Sequence, residues 1–290
     1  MAERLRRVAV LTHQLPDKTA TALDDLITEA RRLGIDLLTT ADELKKHGLA
    51  KGGGFEVVDE DGLRSADLCL VLGGDGAVLR AMGRLLGSGV PTTGVNFGNV
   101  GFLSAMQRET WRGDLEAIVS GAFSIVELMT IEARFSGQSC TAVNDIVVAR
   151  RSPHRVLHLS YEVSGIPVGA MLCDGMIVAS PAGSTAYNLS CDGPLIVWDA
   201  DAFVLNFIAP HSLSFRPLVL RADHVIRVRN VSQDDDAEIM ADGGDAGALA
   251  CGDCVEIRAG ASRARLLVRA GDSFYSNVEE KLFKRPPHAR

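Results

Sequence analysis

The sequence is poor in the features that mark several protein classes. Aromatic residues are 5% of the chain, and no uninterrupted apolar stretch approaches the roughly 18–20 residues of a membrane span. The N-terminal stretch "MAERLRRVAVLTHQLPDK" has three arginines but only "VAVL" as an apolar run, too short for a secretory leader. A cytoplasmic protein with no membrane partner is expected. Six cysteines in 290 residues are too few for a disulfide scaffold. "CGDC" (251–254) has half the spacing of a zinc site, but no second pair completes it, so it reads as a turn flanked by two small thiols and no protein-held metal is expected. A net charge of −7 argues against non-specific nucleic-acid binding, which depends on cationic contacts to phosphate. Repeats, low-complexity segments and Pro-, Gly- or Ser-rich linkers are also missing.

What is present is a change of periodicity part-way along. The first hundred residues alternate strand and helix signals. "RVAVLTH" is a buried strand, followed by Leu23, Leu26, Ile27 and Ala30 at helical spacing, with Gly34 placed to end the helix. "IDLLTT", "ADELKKHG", "ADLCLVL", "AVLRAMGRLL" and "VPTTGVNF" continue the alternation, which implies a doubly wound parallel sheet. Beyond the helical stretch "ETWRGDLEAIVSGA" the period becomes two. "RVLHLSYEVSG" sets Leu157, Leu159, Tyr161 and Val163 against His158, Ser160 and Glu162, and "HVIRVRNV", "CVEIRAG" and "RARLLVRA" follow suit. The expected fold is an N-terminal doubly wound parallel α/β domain (1–103) followed by an all-β sandwich domain (104–270). Residues 271–290, with "SNVEEKLF", would return to the first domain.

Three polar segments interrupt this framework. Gly73-Gly74-Asp75-Gly76 stands where a strand hands over to a helix. Glycines there let backbone approach a ligand, and helix-start N–H groups attract anions. An acid among them repels phosphate unless it holds Mg²⁺ or accepts the proton of an attacking hydroxyl; a plain helix cap is the equal alternative. "AVNDIVVAR" places Asn144 and Asp145 inside an apolar strand, where they need partners: a local bulge, or ribose hydroxyls. In "CDGMIVASPAGSTAYNLSCDGPL" a run of small residues leaves backbone accessible, and Thr185, Tyr187, Asn188 and Ser190 supply hydrogen-bonding groups for a nucleotide pocket, or Ser184 or Thr185 caps a helix. Arg150, Arg151 and Arg155 form a basic patch suited to phosphate or to solvent. "QDDDAE" reads as a solvated hairpin tip.

In this order the three segments resemble the NAD kinase family. "VNFGNVGFLSA" is similar to its Asn-x-Gly-x-x-Gly-Phe-Leu stretch, "DGMIVASPAGSTAYNLS" to its longest signature and "PHSLSFRPLVL" to its Pro-His-x-Leu-x-x-Arg-Pro stretch. The resemblance implies phosphorylation of the adenosine-ribose 2′-hydroxyl of NAD, with ATP as donor and Mg²⁺ as cofactor, by a homodimer or homotetramer. It implies Asp75 as general base, Gly76 cradling the nucleotide, Asn144 and Asp145 on ribose, and Asp174 on the nicotinamide side. Thr185, Ala186, Tyr187, Asn188 and Ser190 would line the NAD pocket, joined by Phe102 and Arg155. Asp145 stands where the family has Glu, Ala77 where it has Thr or Ser, and Ala182 replaces a common hydroxyl; Asp242-Gly243 matches a late Asp-Gly site with different flanks. Two other readings stand beside this one. Lipid kinases and phosphofructokinases share Gly-Gly-Asp-Gly, and a nucleotide-binding regulator without catalysis would tolerate those departures.

Overall fold

A computed structural model describes residues 5–16, 19–49, 53–97, 101–152, 154–233 and 235–284. The chain forms two compact units, one of Met1–Glu127 with Ala264–Arg290, the other of Leu128–Arg263.

In the first unit β1 (Arg7–Thr12), α1 (Ala20–Leu33), β2 (Asp36–Thr39), α2 (Ala41–Lys46), β3 (Glu56–Val57), α3 (Glu60–Arg64), β4 (Leu68–Leu72), α4 (Asp75–Leu85) and β5 (Thr92–Asn96) alternate along the chain. All five strands are parallel, in the order β3-β2-β1-β4-β5. The alternation fits the sequence reading; β3 and α3 are additions too short for periodicity to reveal. β1, β4 and β5 are almost wholly buried, as a sheet covered on both faces requires. α1 buries Leu23, Leu26, Ala30 and Leu33 in that core and stops at Gly34. The strand order reverses between β1 and β4, and in such sheets ligands sit beyond the carboxyl ends of the strands at that point. His13 follows β1 there, and Gly73 to Asp75 follow β4. A short β6 (Met106–Gln107) pairs with β5, and α5 (Trp111–Val119) buries Trp111, Leu115 and Ile118.

The next strand, β7 (Phe123–Phe135), carries the chain into the second unit. There β8 (Gln138–Ala142), β9 (Asp145–Arg150), β10 (Leu157–Val163), β11 (Ile166–Cys173), β12 (Gly175–Ala179), α6 (Tyr187–Ser190), β13 (Ala202–Ile208), β14 (Leu218–Arg221), β15 (Ile226–Asn230), β16 (Ala237–Ala241), β17 (Gly244–Leu249) and β18 (Cys254–Arg269) follow. One antiparallel sheet runs β14-β13-β12-β9-β16-β17; the other runs β11-β10-β15-β18. Met176, Val178, Phe203 and Phe207 pack with Leu157, Leu159, Tyr161 and Val228 in one core, a β-sandwich. The Phe207 ring meets Tyr161 and Phe215 edge-on at 5.4 and 4.8 Å.

Differences from expectation concern boundaries. The division falls at 127/128 and 263/264 rather than at 103/104 and 270/271, because α5 packs with the first core. "CVEIRAG" and "RARLLVRA" are one strand, β18, which begins in the second unit and ends in the first, where Leu266 pairs with Thr92 of β5. A two-residue alternation cannot distinguish one long strand from two short ones. The tail forms α7 (Phe274–Val278) and a wide turn, Glu279–Phe283. Gly98 to Val100 of "VNFGNVGFLSA", Asp234 of "QDDDAE" and residues 285–290 lie outside the described residues.

Candidate active site

Two clusters of polar residues stand out, one in each unit. In the first unit a cleft of about 660 Å³ opens beyond β1 and β4, lined by His13, Gly74, Asp75, Gly76, Arg80 and Arg108. Gly74, not Asp75, is the helix cap of α4, and it caps with backbone alone. Asp75 occupies the first helical position, and its side chain turns to the 102–104 segment instead. One carboxylate oxygen accepts from the Phe102 N–H (2.5 Å), the other from Leu103 N–H (3.1 Å) and Ser104 Oγ (3.4 Å). A carboxylate has about four lone-pair positions, so these contacts orient the group without saturating it. The fit is close: a Cβ built at Gly101 would fall inside the Asp75 carboxylate. Gly101→Ala should therefore displace the acid without removing it, lowering turnover and, because the Phe102 and Leu103 N–H groups lose their acceptor, the melting temperature as well. A control is Gly113→Ala in α5, where nothing lies within 4 Å of the new methyl; its turnover should be unchanged and its stability slightly higher.

Arg80 and Arg108 have no ion-pair partner among the described residues; the Arg108 guanidinium sits 5.9 Å from the centre of the Phe97 ring. With the N-terminal end of α4, they make the cleft hospitable to anions. The sequence reading missed both arginines, which belong to no motif.

In the second unit Asp145 opens β9 with Asn144 just before it, and a third residue organises them. Asp242 accepts from the N–H groups of Val143 (2.9 Å), Asn144 (2.7 Å) and Asp145 (3.3 Å), and its own N–H donates to the Asp145 carbonyl. Its φ of 50° is the left-handed conformation, tolerated by Asp. The signature loop closes on the same point: Ser180 N–H donates to the Asn144 carbonyl (2.8 Å), Ser180 Oγ to the Val143 carbonyl (2.6 Å), and Gly183 passes so near that a Cβ would overlap the Asn144 carbonyl. Close approach is what this glycine is for.

These donors go to the Asp242 carboxylate and to backbone carbonyls, which leaves the Asn144 side chain exceptional. Its Oδ1 is buried and accepts no hydrogen bond among the described residues. Buried polar atoms without partners are rare and costly. Next to it, burial pushes the Asp145 carboxyl up to about 7, with the charge of Asp242 adding to the shift. Burial also raises Asp242, against its three N–H donors. Below about pH 4 Asp145 is neutral folded or unfolded, and nothing is lost. Between there and about pH 7 the folded state binds the extra proton, so stability falls as pH rises. Asp145→Asn should thus raise the melting temperature at pH 8, and thermal scans at pH 4 should show the gain gone.

The other expected residues separate into groups. Tyr187 is exposed, and burial together with the charges of Cys191, Asp145 and Asp174 raises its hydroxyl. Thr185 Oγ1 is bonded to the Ala182 carbonyl, Ala186 is half-buried, and Ser190 is exposed on α6. Asp174 pairs with Arg150 at 3.1 Å. Three of the expected residues have partners within the protein. Asn188 is fully buried: its amide donates to the Ser184 and Pro194 carbonyls and accepts from Asn206, so it braces the loop and presents nothing to a ligand. Arg155 is ion-paired to Asp235 at 3.3 Å. Phe102 contributes its N–H to Asp75. Neither Ser184 nor Thr185 caps a helix.

Comparison with known proteins bears on what these clusters serve. The ATP-NAD kinase N-terminal domain family matches residues 45–123 and the C-terminal domain family residues 143–269. The NAD kinase of Geobacter sulfurreducens is 32% identical over 284 residues, 96% of this chain and 98% of that protein. The chain belongs to the NAD kinase family. It is therefore a kinase, and the two domain families meet the two units described above. In fold, yeast NADH kinase, solved in complex with NADH, superimposes with a TM-score of 0.85 at 23% identity, over 100% of this chain and 91% of that one. An NAD kinase from Archaeoglobus fulgidus in complex with ATP gives 0.75 at 24%, over 94% and 98%. Among the described residues no helix is long and apolar enough to cross a membrane.

Proposed function

We propose that this kinase transfers the γ-phosphoryl group of ATP to the 2′-hydroxyl of the adenosine ribose of NAD, giving NADP. The observation that carries the reading is the orphaned Asn144 Oδ1 beside Asp145. An acceptor with no donor of its own, next to a carboxyl poised between acid and base, suits the vicinal hydroxyls of a ribose. In the second unit Asn144 and Asp145 take ribose hydroxyls, while Thr185, Ala186, Tyr187 and Ser190 hold the dinucleotide and Asp174, set by Arg150, takes the nicotinamide side. The shorter Asp145, in place of Glu, is compensated by the tight seating that Asp242 imposes. In the first unit Asp75 accepts the proton of the attacking hydroxyl. Gly76 cradles the donor's phosphates, and Arg80 and Arg108 supply countercharge. Phosphoryl transfer asks for positioning and charge neutralisation rather than covalent work by the protein.

Mg²⁺ fits this arrangement as the nucleotide's own ion. Among the described residues no group of three or more His, Cys, Asp or Glu could hold a metal. Mg²⁺ is commonly bound by substrate phosphates and water with one or two carboxylates, and there it would neutralise phosphate charge. The six cysteines are free, in keeping with a cytoplasmic location.

A homodimer or homotetramer completes the proposal. β11 is an edge strand with Ile166 and Val168 exposed at 69% and 47%, an apolar edge of the kind that proteins normally cover. Under a twofold axis an antiparallel edge pairs with its own copy. Val168→Lys should shift sedimentation toward monomer; an unchanged species would remove β11 from the interface.

The test of the function is direct. Purified protein with NAD, ATP and Mg²⁺ should yield NADP, followed through an NADP-specific dehydrogenase, and EDTA should abolish the signal. Nucleotide binding without NADP formation under any donor would favour the non-catalytic regulator.

A further inference from the structure

The C-terminal segment belongs to no motif, yet it closes on the residues that hold Asp75. After β18 the chain turns at Asp272, which pairs with Arg269 at 2.9 Å, and a capping box between Ser273 and Ser276 starts α7. Asn277 Nδ2 then reaches the Phe102 carbonyl at 3.5 Å, and Lys281 Nζ lies 5.2 Å from the centre of the Phe102 ring. The remaining gap is about 10 Å³, too small for more than a single water. Phe102 is therefore gripped by Asn277 and Lys281 while its N–H grips Asp75.

We propose that Lys281 is a positioning residue for phosphoryl transfer, acting through Phe102 and as a fixed countercharge to Asp75. Resting on the reading of Asp75 as the acceptor of the hydroxyl proton, this gives the tail a role in the reaction. A half-buried ammonium costs desolvation and needs a reason to stay. Lys281 has no ion pair among the described residues. Burial lowers its pKa, and of the charges that face it Asp75 opposes this most, followed by Glu280 and Asp272, while Arg269 works the other way. The strongest electrostatic partner of the tail lysine is thus the acid of the cleft.

Two measurements on the full-length chain test this. In kinetics, Lys281→Met should lower kcat roughly tenfold, about 1.4 kcal/mol at the transition state, with KM for both nucleotides nearly unchanged. Lys281→Arg, which keeps charge and stacking, should restore most of it. Wild-type kcat should decline on the alkaline side as the ammonium is lost below the usual lysine range; Lys281→Arg should extend the plateau, and Lys281→Met should lack that limb. The second readout needs no turnover: the Lys281 titration, followed by NMR after reductive ¹³C-methylation, should move to lower pH in Asp75→Asn. Wild-type kcat in Lys281→Met, one shared alkaline limb, or a titration indifferent to Asp75→Asn would overturn the proposal. A chain that makes no NADP yet shows the coupled titration would count against the NAD reading and for the contact. Should Lys281→Met fail to fold, Lys281→Arg and the wild-type titration still decide.

Discussion

Asp75→Asn should reduce kcat by roughly 10²–10⁴, the usual worth of general-base assistance, while leaving dissociation constants for NAD and ATP within about twofold. Asn has nearly the shape of Asp, so the cleft keeps its form, but an amide cannot take the proton of the attacking hydroxyl. A structural cost accompanies the change. Phe102 N–H and Leu103 N–H now donate to opposite oxygens, and an amide offers only one oxygen, so one donor loses its acceptor. An unsatisfied donor costs about 1–3 kcal/mol, so the melting temperature should fall modestly. Calorimetric binding at pH 7.5 separates the two effects. If kcat and affinity fall together, Asp75 is a binding or structural group and not a base.

Gly183→Ala should produce the second-largest effect, and in the opposite pattern. The new methyl would overlap the carbonyl of Asn144, which is backbone and cannot swing aside. Either the 181–187 turn lifts or the start of β9 is pushed, and both hold groups assigned to the dinucleotide. Overpacking of this kind typically costs about 1–3 kcal/mol. Affinity for NAD should fall by at least tenfold, with binding of ATP to the first unit little changed. Isothermal titration with each nucleotide measures this. Equal weakening for both would mean that the signature loop does not discriminate between them.

Much of this architecture was legible because periodicity and turn chemistry agree along the chain. β1 and β4 announce themselves as uninterrupted apolar runs, and α1 as a 3.6-residue pattern ended by Gly34. β10 alternates as a half-wet strand should. Local patterns failed where long-range contacts decide. Gly73-Gly74-Asp75-Gly76 left cap and task equally open, and only the Phe102 and Leu103 amides, far along the chain, show that the side chain is not a cap. Asn188 reads as a ligand because its neighbours do, but burial behind Asn206 commits its amide to the fold. Asp242 carried a weak signal in "MADGGD", yet it seats the whole Asn144 segment. Arg80 and Arg108 had none, since their cleft arises from the strand-order reversal of the parallel sheet.

The central claim is the position of the new phosphate, and a two-dimensional ¹H–³¹P correlation spectrum of the product made from NAD, ATP and Mg²⁺ reads it directly. The account predicts a phosphorus resonance coupled to H2′ of the adenosine ribose and to no other sugar proton. Coupling to a different ribose position, or a spectrum holding only the phosphorus signals of NAD and ATP, would contradict it.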